Sequence, residues 1–362
     1  MARRISFDNV NSVDLQASVD KIQGQHISVA TRKTYDSKVS IYQRFLDARG
    51  RSEDVLPLNP DAIKECFAYL VDYGGITDIG YIKGILAALR NLAREGGYIE
   101  SVSLVETDLK KTSSLFAQFF HGLKSRLPEN LGTPVKAVNS EIVQGTIKNI
   151  IETEKNEELK SRDVLIIGIG FGCGLRGGEI SLINDERIVY EPEEKRYHLK
   201  ILGKTNRTKA RSAYMEEEYE SFSFSHHYEN YKQLVDLLYE EESITEDENG
   251  KKFFITYDKK QQQWKDCRVT TDIVTRILRQ RLSGYFKVKL PALTAADHDK
   301  LVKKYASHSL RRGGLSSLKR AGGSEAQRLE FGGWKKVETK EKYSDRDIVG
   351  EQRAYKKMKT ML

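Results

Sequence analysis

The chain has 362 residues, more than one hydrophobic core comfortably serves, so two domains are expected. Apolar residues make up 39% and charged residues 31%, a balance that suits a globular chain and leaves no stretch able to span a bilayer, so no membrane role is expected. The net charge of +8 is unevenly spread. Residues 1–125 hold sixteen Lys/Arg against fifteen Asp/Glu, so seven of the eight excess charges fall in residues 126–362. Within that part Glu216 to Glu248 is acidic, with twelve acids and Lys232 alone, which leaves the remainder at about +18. Such a surplus is either a polyanion-binding surface or a solvated basic face.

Residues 1–27 lack sustained periodicity and read as a flexible N-terminal arm with no secretory signal. Thr31 to Ala48 places Tyr35, Val39, Tyr42, Phe45 and Leu46 on one helical face. Pro60 opens a second helix that closes at Gly74-Gly75, and a third runs from Thr77 or Asp78 to Gly96-Gly97. A fourth is expected from about Asp108 through Leu123. Together these predict a helical domain over 28–125. The two prolines and glycine of RLPENLGTPVKA mark a linker, taken as 126–138.

Beyond it, helices are expected from Asn139 or Ser140 through Ile151 and from Asp163 to Phe171. Short strands are expected at Ile188 to Tyr190, at Tyr197 to Leu202 and near Ala213. The acidic stretch contains a candidate helix, Tyr231 to Tyr239, and ends in a loop. Helices return from Asp272, from His308, from about Ser324 and from about Asp347. The class is mostly α with a small antiparallel β-sheet (α+β). Three separated cysteines, Cys66, Cys173 and Cys267, form no ligand or disulfide pattern.

Three segments contain residues suited to phosphate chemistry. GCGLRGGEISLI puts Arg176 and Glu179 at i and i+3 after a glycine-rich bend, where an arginine can fork onto phosphate oxygens while the carboxylate orients it. SHSLRRGGLSSL puts His308 and Arg311 on one helical face, a proton-handling group beside a charge-neutralising one. Arg312, the neighbour, should point elsewhere, toward a DNA backbone. FGGWKKVETKEKYSD places Tyr343 nine residues after Trp334 in a polar, basic context. Taken singly, a helix-terminal salt bridge, a chance H-x-x-R and a core tyrosine would explain each.

In this order and spacing the set Arg…His-x-x-Arg…Trp/His…Tyr resembles the catalytic domain of the tyrosine recombinase (phage-integrase-type) family, over most of residues 140–346. HSLRRGG and GGW look more like the Crypton-like recombinases of eukaryotic mobile elements than like chromosome-dimer resolvases. The resemblance implies a two-domain DNA clamp: a core-binding domain at 28–125, a catalytic domain at 139–346 and a tail, 347–362, suited to contact between protomers. It implies that Arg176 and Arg311 bind the non-bridging oxygens, that Glu179 supports them and that His308 manages the nucleophile's proton. Trp334 would buttress the phosphate and Tyr343 would attack it, giving a 3′-phosphotyrosyl bond and a free 5′ hydroxyl. The family's lysine falls best at Lys204 in LKILGKTNRTKA, as general acid, with Lys209 the competing candidate; Arg207 is a poorer proton donor.

The implied function is a site-specific DNA recombinase or integrase of a mobile element, acting on double-stranded DNA as a dimer to tetramer. It would work inside a cell with host DNA, in the nucleus of a eukaryote or the cytoplasm of a prokaryote. No Walker motif, carboxylate cluster or metal-ligand set is read, and this chemistry needs no cofactor. The alternatives are a type IB topoisomerase-like enzyme and a domesticated, non-catalytic DNA-binding protein. Arg32, Lys33, Lys38 and Arg44 on the first helix are candidate DNA contacts or a solvated face.

Overall fold

Asn59, Asp78 and Ser114 each turn a side-chain oxygen onto the first backbone N–H groups of a helix, and these caps set the starts of the N-terminal helices. The computed structural model describes residues 29–51, 55–127, 135–202 and 210–333. It divides into two compact units between Thr133 and Pro134. The first contains α1 (Val29–Ala48), α2 (Pro60–Asp72), α3 (Ile79–Glu95), α4 (Ile99–Leu104) and α5 (Leu115–Arg126). Tyr42, Leu46, Ile63, Phe67, Ile82, Leu86, Phe116 and Phe120 form its core. The expected fourth helix therefore begins at Leu115, not near Asp108, and α4 is an addition. The Glu106 carboxylate accepts from the N–H groups of Thr107 and Asp108, and Asp108 accepts from Lys110. These local bonds hold the intervening residues in turns in place of a helix.

The second unit is built around α7 (Glu157–Gly172), buried on every side from Ser161 to Phe171. Around it stand α6 (Ser140–Thr153), α10 (Thr271–Lys289) and α12 (Ser307–Arg320), with the short α8 (Gly177–Ser181) and α13 (Glu325–Gly332) at one end. Helix α7 begins six residues before the expected Asp163, capped by Asn156. Its charged pair Arg162-Asp163 looks like surface in the sequence but is interior. Arg162 donates to Asp163 at 2.9 and 2.7 Å, Arg281 donates to Asp163 at 2.7 Å, and Arg281 also reaches Glu154 at 2.8 Å. Each buried charge thus has a partner, without which burial would be very costly.

Strands β1 (Ile188–Glu191), β2 (Arg196–Ile201) and β3 (Arg211–Glu216) form an antiparallel sheet in the order β1-β2-β3. The sequence predicts this one sheet; the structure has a second, the hairpin of β4 (Ile255–Asp258) and β5 (Gln263–Arg268). A further helix, α11 (Ala295–Lys303), is also unexpected. The acidic stretch holds α9 (Phe224–Glu240), longer than predicted, and the residues after it are tied back by cations. Arg268 meets Asp247 at 2.6 Å and Lys252 meets Asp266 at 2.6 Å. The expected helix from Asp347 lies outside the described residues.

Two adjacent glycines set the seat of α12. A Cβ on Gly313 would overlap the carbonyl oxygen of Val138, and one on Gly314 that of Phe171 at the end of α7. Neither obstacle is the flexible end of a side chain. Gly314→Ala is therefore expected to cost about 3 kcal/mol, the upper end of ordinary overpacking. Gly122→Ala, where nothing lies within 4 Å of the new atom, should stabilise by about 1 kcal/mol. Urea unfolding of the two variants checks the contrast; equal midpoints would contradict this packing.

Candidate functional site

Helix α7 is closed by its C-cap, Cys173, and Gly174, at φ 59°, turns the chain through the left-handed region. A Cβ at Gly174 would also strike the ring of Phe331. The bend delivers Arg176 to the N-cap of α8, and Glu179, one turn on, folds back over it. One carboxylate oxygen, Oε2, accepts the backbone N–H of Arg176 at 2.9 Å, and Oε1 accepts its guanidinium at 2.7 Å. Glu179 is buried while Arg176 keeps 37% of its side chain exposed, so the pair presents a fixed, half-exposed guanidinium.

Helix α12 brings Arg311 to the same carboxylate. Arg311 is fully buried, with Nη1 donating to the Gly174 carbonyl at 2.7 Å and Nη2 to the Gly332 carbonyl. Its Nη1 lies 3.6 Å from Glu179 Oε2. From the sheet comes Arg211, whose Nη2 donates to the Cys173 carbonyl at 3.0 Å and lies 3.8 Å from the same Oε2. One carboxylate thus faces three guanidinium groups, an excess of two positive charges that favours an anion.

His308, one turn before Arg311, is held at a pKa of about 4, first by burial and then by the charges of Arg311, Arg176 and Arg312, with Glu179 opposing. It is neutral at pH 7 and able to take a proton. Buried His227, hydrogen-bonded to Ser161 at 3.1 Å, is likewise lowered to about 4 by burial. Both folded-state values lie below the ordinary 6.5, so the unfolded chain binds more protons between pH 6.5 and 4. Stability should be fully present above pH 6.5 and fall as the pH drops toward 4. Urea midpoints at pH 7 and pH 5 test this, with His227→Gln and His308→Gln each expected to flatten the slope. A slope unchanged in both variants would contradict the assignment.

Of the residues singled out in the sequence, Arg176, Glu179, His308 and Arg311 converge here. Arg312 is half-buried, and its charge contributes to lowering the His308 pKa. Lys204, Lys209, Arg207, Trp334 and Tyr343 lie outside the described residues. On α1, Lys33 and Arg44 are exposed, whereas Arg32 pairs with Glu95 at 3.0 Å and the Lys38 ammonium sits 3.2 Å from the Tyr81 ring centre. Those two are less available than a bare helix face suggests. Sequence reasoning missed Arg211. The signal was present: Arg211, Ala213 and Met215 alternate on the face of β3 that turns inward, and the latter two are buried.

The chain is mostly helical, in two units with small antiparallel sheets, and its second unit carries the Glu179-centred arginine cluster. The structure is similar to that of XerH site-specific recombinase bound to palindromic difH substrate in a post-cleavage complex. The TM-score is 0.52 and the identity 17%, over 87% of this chain and 76% of that one. It is also similar to a lambda integrase dimer bound to a COC′ core site, with a TM-score of 0.50 and 12% identity over 97% of this chain and 85% of that one. No protein-family model and no curated protein matches the sequence. Among the described residues no helix is long and apolar enough to cross a membrane.

Proposed function

We propose that this chain is a site-specific DNA recombinase or integrase that cuts and rejoins strands through a 3′-phosphotyrosyl intermediate. The observation that carries the reading is the convergence of Arg176, Arg311 and neutral His308 around buried Glu179, on a fold shared with recombinases. The excess positive charge suits the non-bridging oxygens of a phosphodiester as negative charge builds on them. The Tyr343 phenol oxygen attacks phosphorus and gives its proton to the His308 imidazole. The bond from phosphorus to the 5′ oxygen breaks, and that oxygen takes a proton from Lys204 or Lys209. A 5′ hydroxyl from another strand then reverses the step and joins the ends. Trp334 supports the phosphate.

Residues 28–125 would act as the core-binding domain, 139–346 as the catalytic domain, and 347–362 as a contact between protomers on double-stranded DNA. The XerH and lambda integrase structures, one a post-cleavage complex and the other a dimer on DNA, support the DNA substrate and an assembly of several copies. The protein would act wherever its host keeps its DNA, nucleus or cytoplasm.

The experiment is covalent capture. Purified protein is incubated with nicked duplexes of randomised sequence in a chelator, denatured, and adducts are recovered and sequenced. A shared sequence flanking a single scission point is expected. Tight binding with no adduct would leave a DNA-binding protein in place of an enzyme. Relaxation of any supercoiled plasmid without sequence preference would favour the topoisomerase-like alternative.

A further inference from the structure

Arg211, from the sheet, and Arg311, from α12, make matching contacts to one bend. Each donates to a carbonyl of the turn that leads from α7 to Arg176: Arg211 to Cys173 at 3.0 Å and Arg311 to Gly174 at 2.7 Å. Each then stands at ion-pair distance from Glu179 Oε2, at 3.8 and 3.6 Å. That same oxygen accepts the backbone N–H of Arg176. The orientation of Arg176 therefore depends on a carboxylate and a bend that both buried-side arginines hold. The stem of Arg211 also lies close to Gly333, where an added Cβ would come within 3.0 Å of Cδ, and Gly333 ends α13 in the left-handed conformation.

We propose that Arg211 is a positioning residue for strand transfer, which holds Glu179 and the Cys173 carbonyl so that Arg176 keeps its geometry toward the phosphate. The proposal rests on the strand-transfer reading above. The electrostatic reason is simple. Glu179 must be neutralised, and if Arg211 does not share its charge, Arg176 and Arg311 must supply all of it, leaving less for an incoming anion. A guanidinium suits the task because Nη2 donates to the Cys173 carbonyl while its delocalised, permanent charge lies beside the carboxylate.

The test is a double-mutant cycle of Arg211→Ala and Glu179→Gln, read as duplex affinity and as rate of adduct formation on a duplex recovered by covalent capture. The expected result is affinity within about threefold of wild type, but a rate about 10- to 100-fold lower, the loss typical of a misplaced reacting group. The double variant should be no slower than Glu179→Gln alone, because Arg211 acts through that carboxylate. Losses that multiply, a rate that does not change, or a defect confined to affinity would each overturn the proposal. A purely structural role would lower the melting temperature without coupling to Glu179. If Arg211→Ala does not fold, Arg211→Gln, which removes the charge beside Glu179 but keeps an N–H donor of similar reach, takes its place in the cycle. If the wild type itself forms no adduct, the strand-transfer reading fails separately. A titration with inorganic phosphate, followed by ³¹P NMR, then decides Arg211: weaker binding in the single variant with no further loss in the double supports the linkage, and equal binding in all four proteins removes it.

Discussion

Replacing Arg311 with alanine is expected to destabilise the protein by about 3–5 kcal/mol and to abolish strand transfer together. Arg311 is among the largest fully buried side chains of the described structure. Its removal takes donors from two buried carbonyls, Gly174 and Gly332, and one of three cations from Glu179. Two buried carbonyls left without a donor, a buried carboxylate reduced from three cations to two, and the space vacated by a fully buried side chain account for the size of the loss. Because Gly174 belongs to the bend before Arg176, the damage falls on phosphate positioning as well as on the core. Arg311→Lys restores the charge, but a single ammonium has no planar fork to span both carbonyls, so it should recover stability only in part. Urea unfolding at pH 7 checks this, with Arg44→Ala at an exposed position of α1 as a control expected within about 0.5 kcal/mol of wild type. An Arg311→Ala protein as stable as the parent would mean that the guanidinium is not buried as described.

The pieces of the site legible in the sequence were those defined by short spacing. Arg176 with Glu179, and His308 with Arg311, lie three apart, and one helical turn is enough to pair them. The bond from Glu179 to the backbone N–H of Arg176 follows from the same local geometry. Arg211 was not legible as a member, because its link to Glu179 spans strand and bend, and nothing in GKTNRTKAR distinguishes an inward arginine from its basic neighbours except the phase of the strand that follows.

The fold divides in the same way. The capped, amphipathic helices α2, α3 and α6 lie close to where their N-caps and apolar spacing put them. Helix α7 starts earlier than expected because Arg162-Asp163 is made interior by Arg281, 118 residues away, a pairing that no local pattern reports. The β4–β5 hairpin was hidden because its burial is weak and irregular, so its residues show no clean alternation. Residues 108–114 were expected to be helical, yet Glu106 and Asp108 bond nearby backbone N–H groups in competition with a helix.

The central claim is that one tyrosine performs the attack, and Tyr343 is one of eighteen in the chain. The most direct measurement compares wild type with Tyr343→Phe in the covalent-capture assay, with mass spectrometry of the adducted peptide. Removing one hydroxyl leaves the arginine cluster and its charge untouched, so duplex binding should be unchanged. The wild type is expected to give a denaturant-stable adduct mapped to the peptide containing Tyr343, attached to a 3′ phosphate, and the variant none. An adduct of equal yield in Tyr343→Phe, or one mapped to another residue, would contradict it.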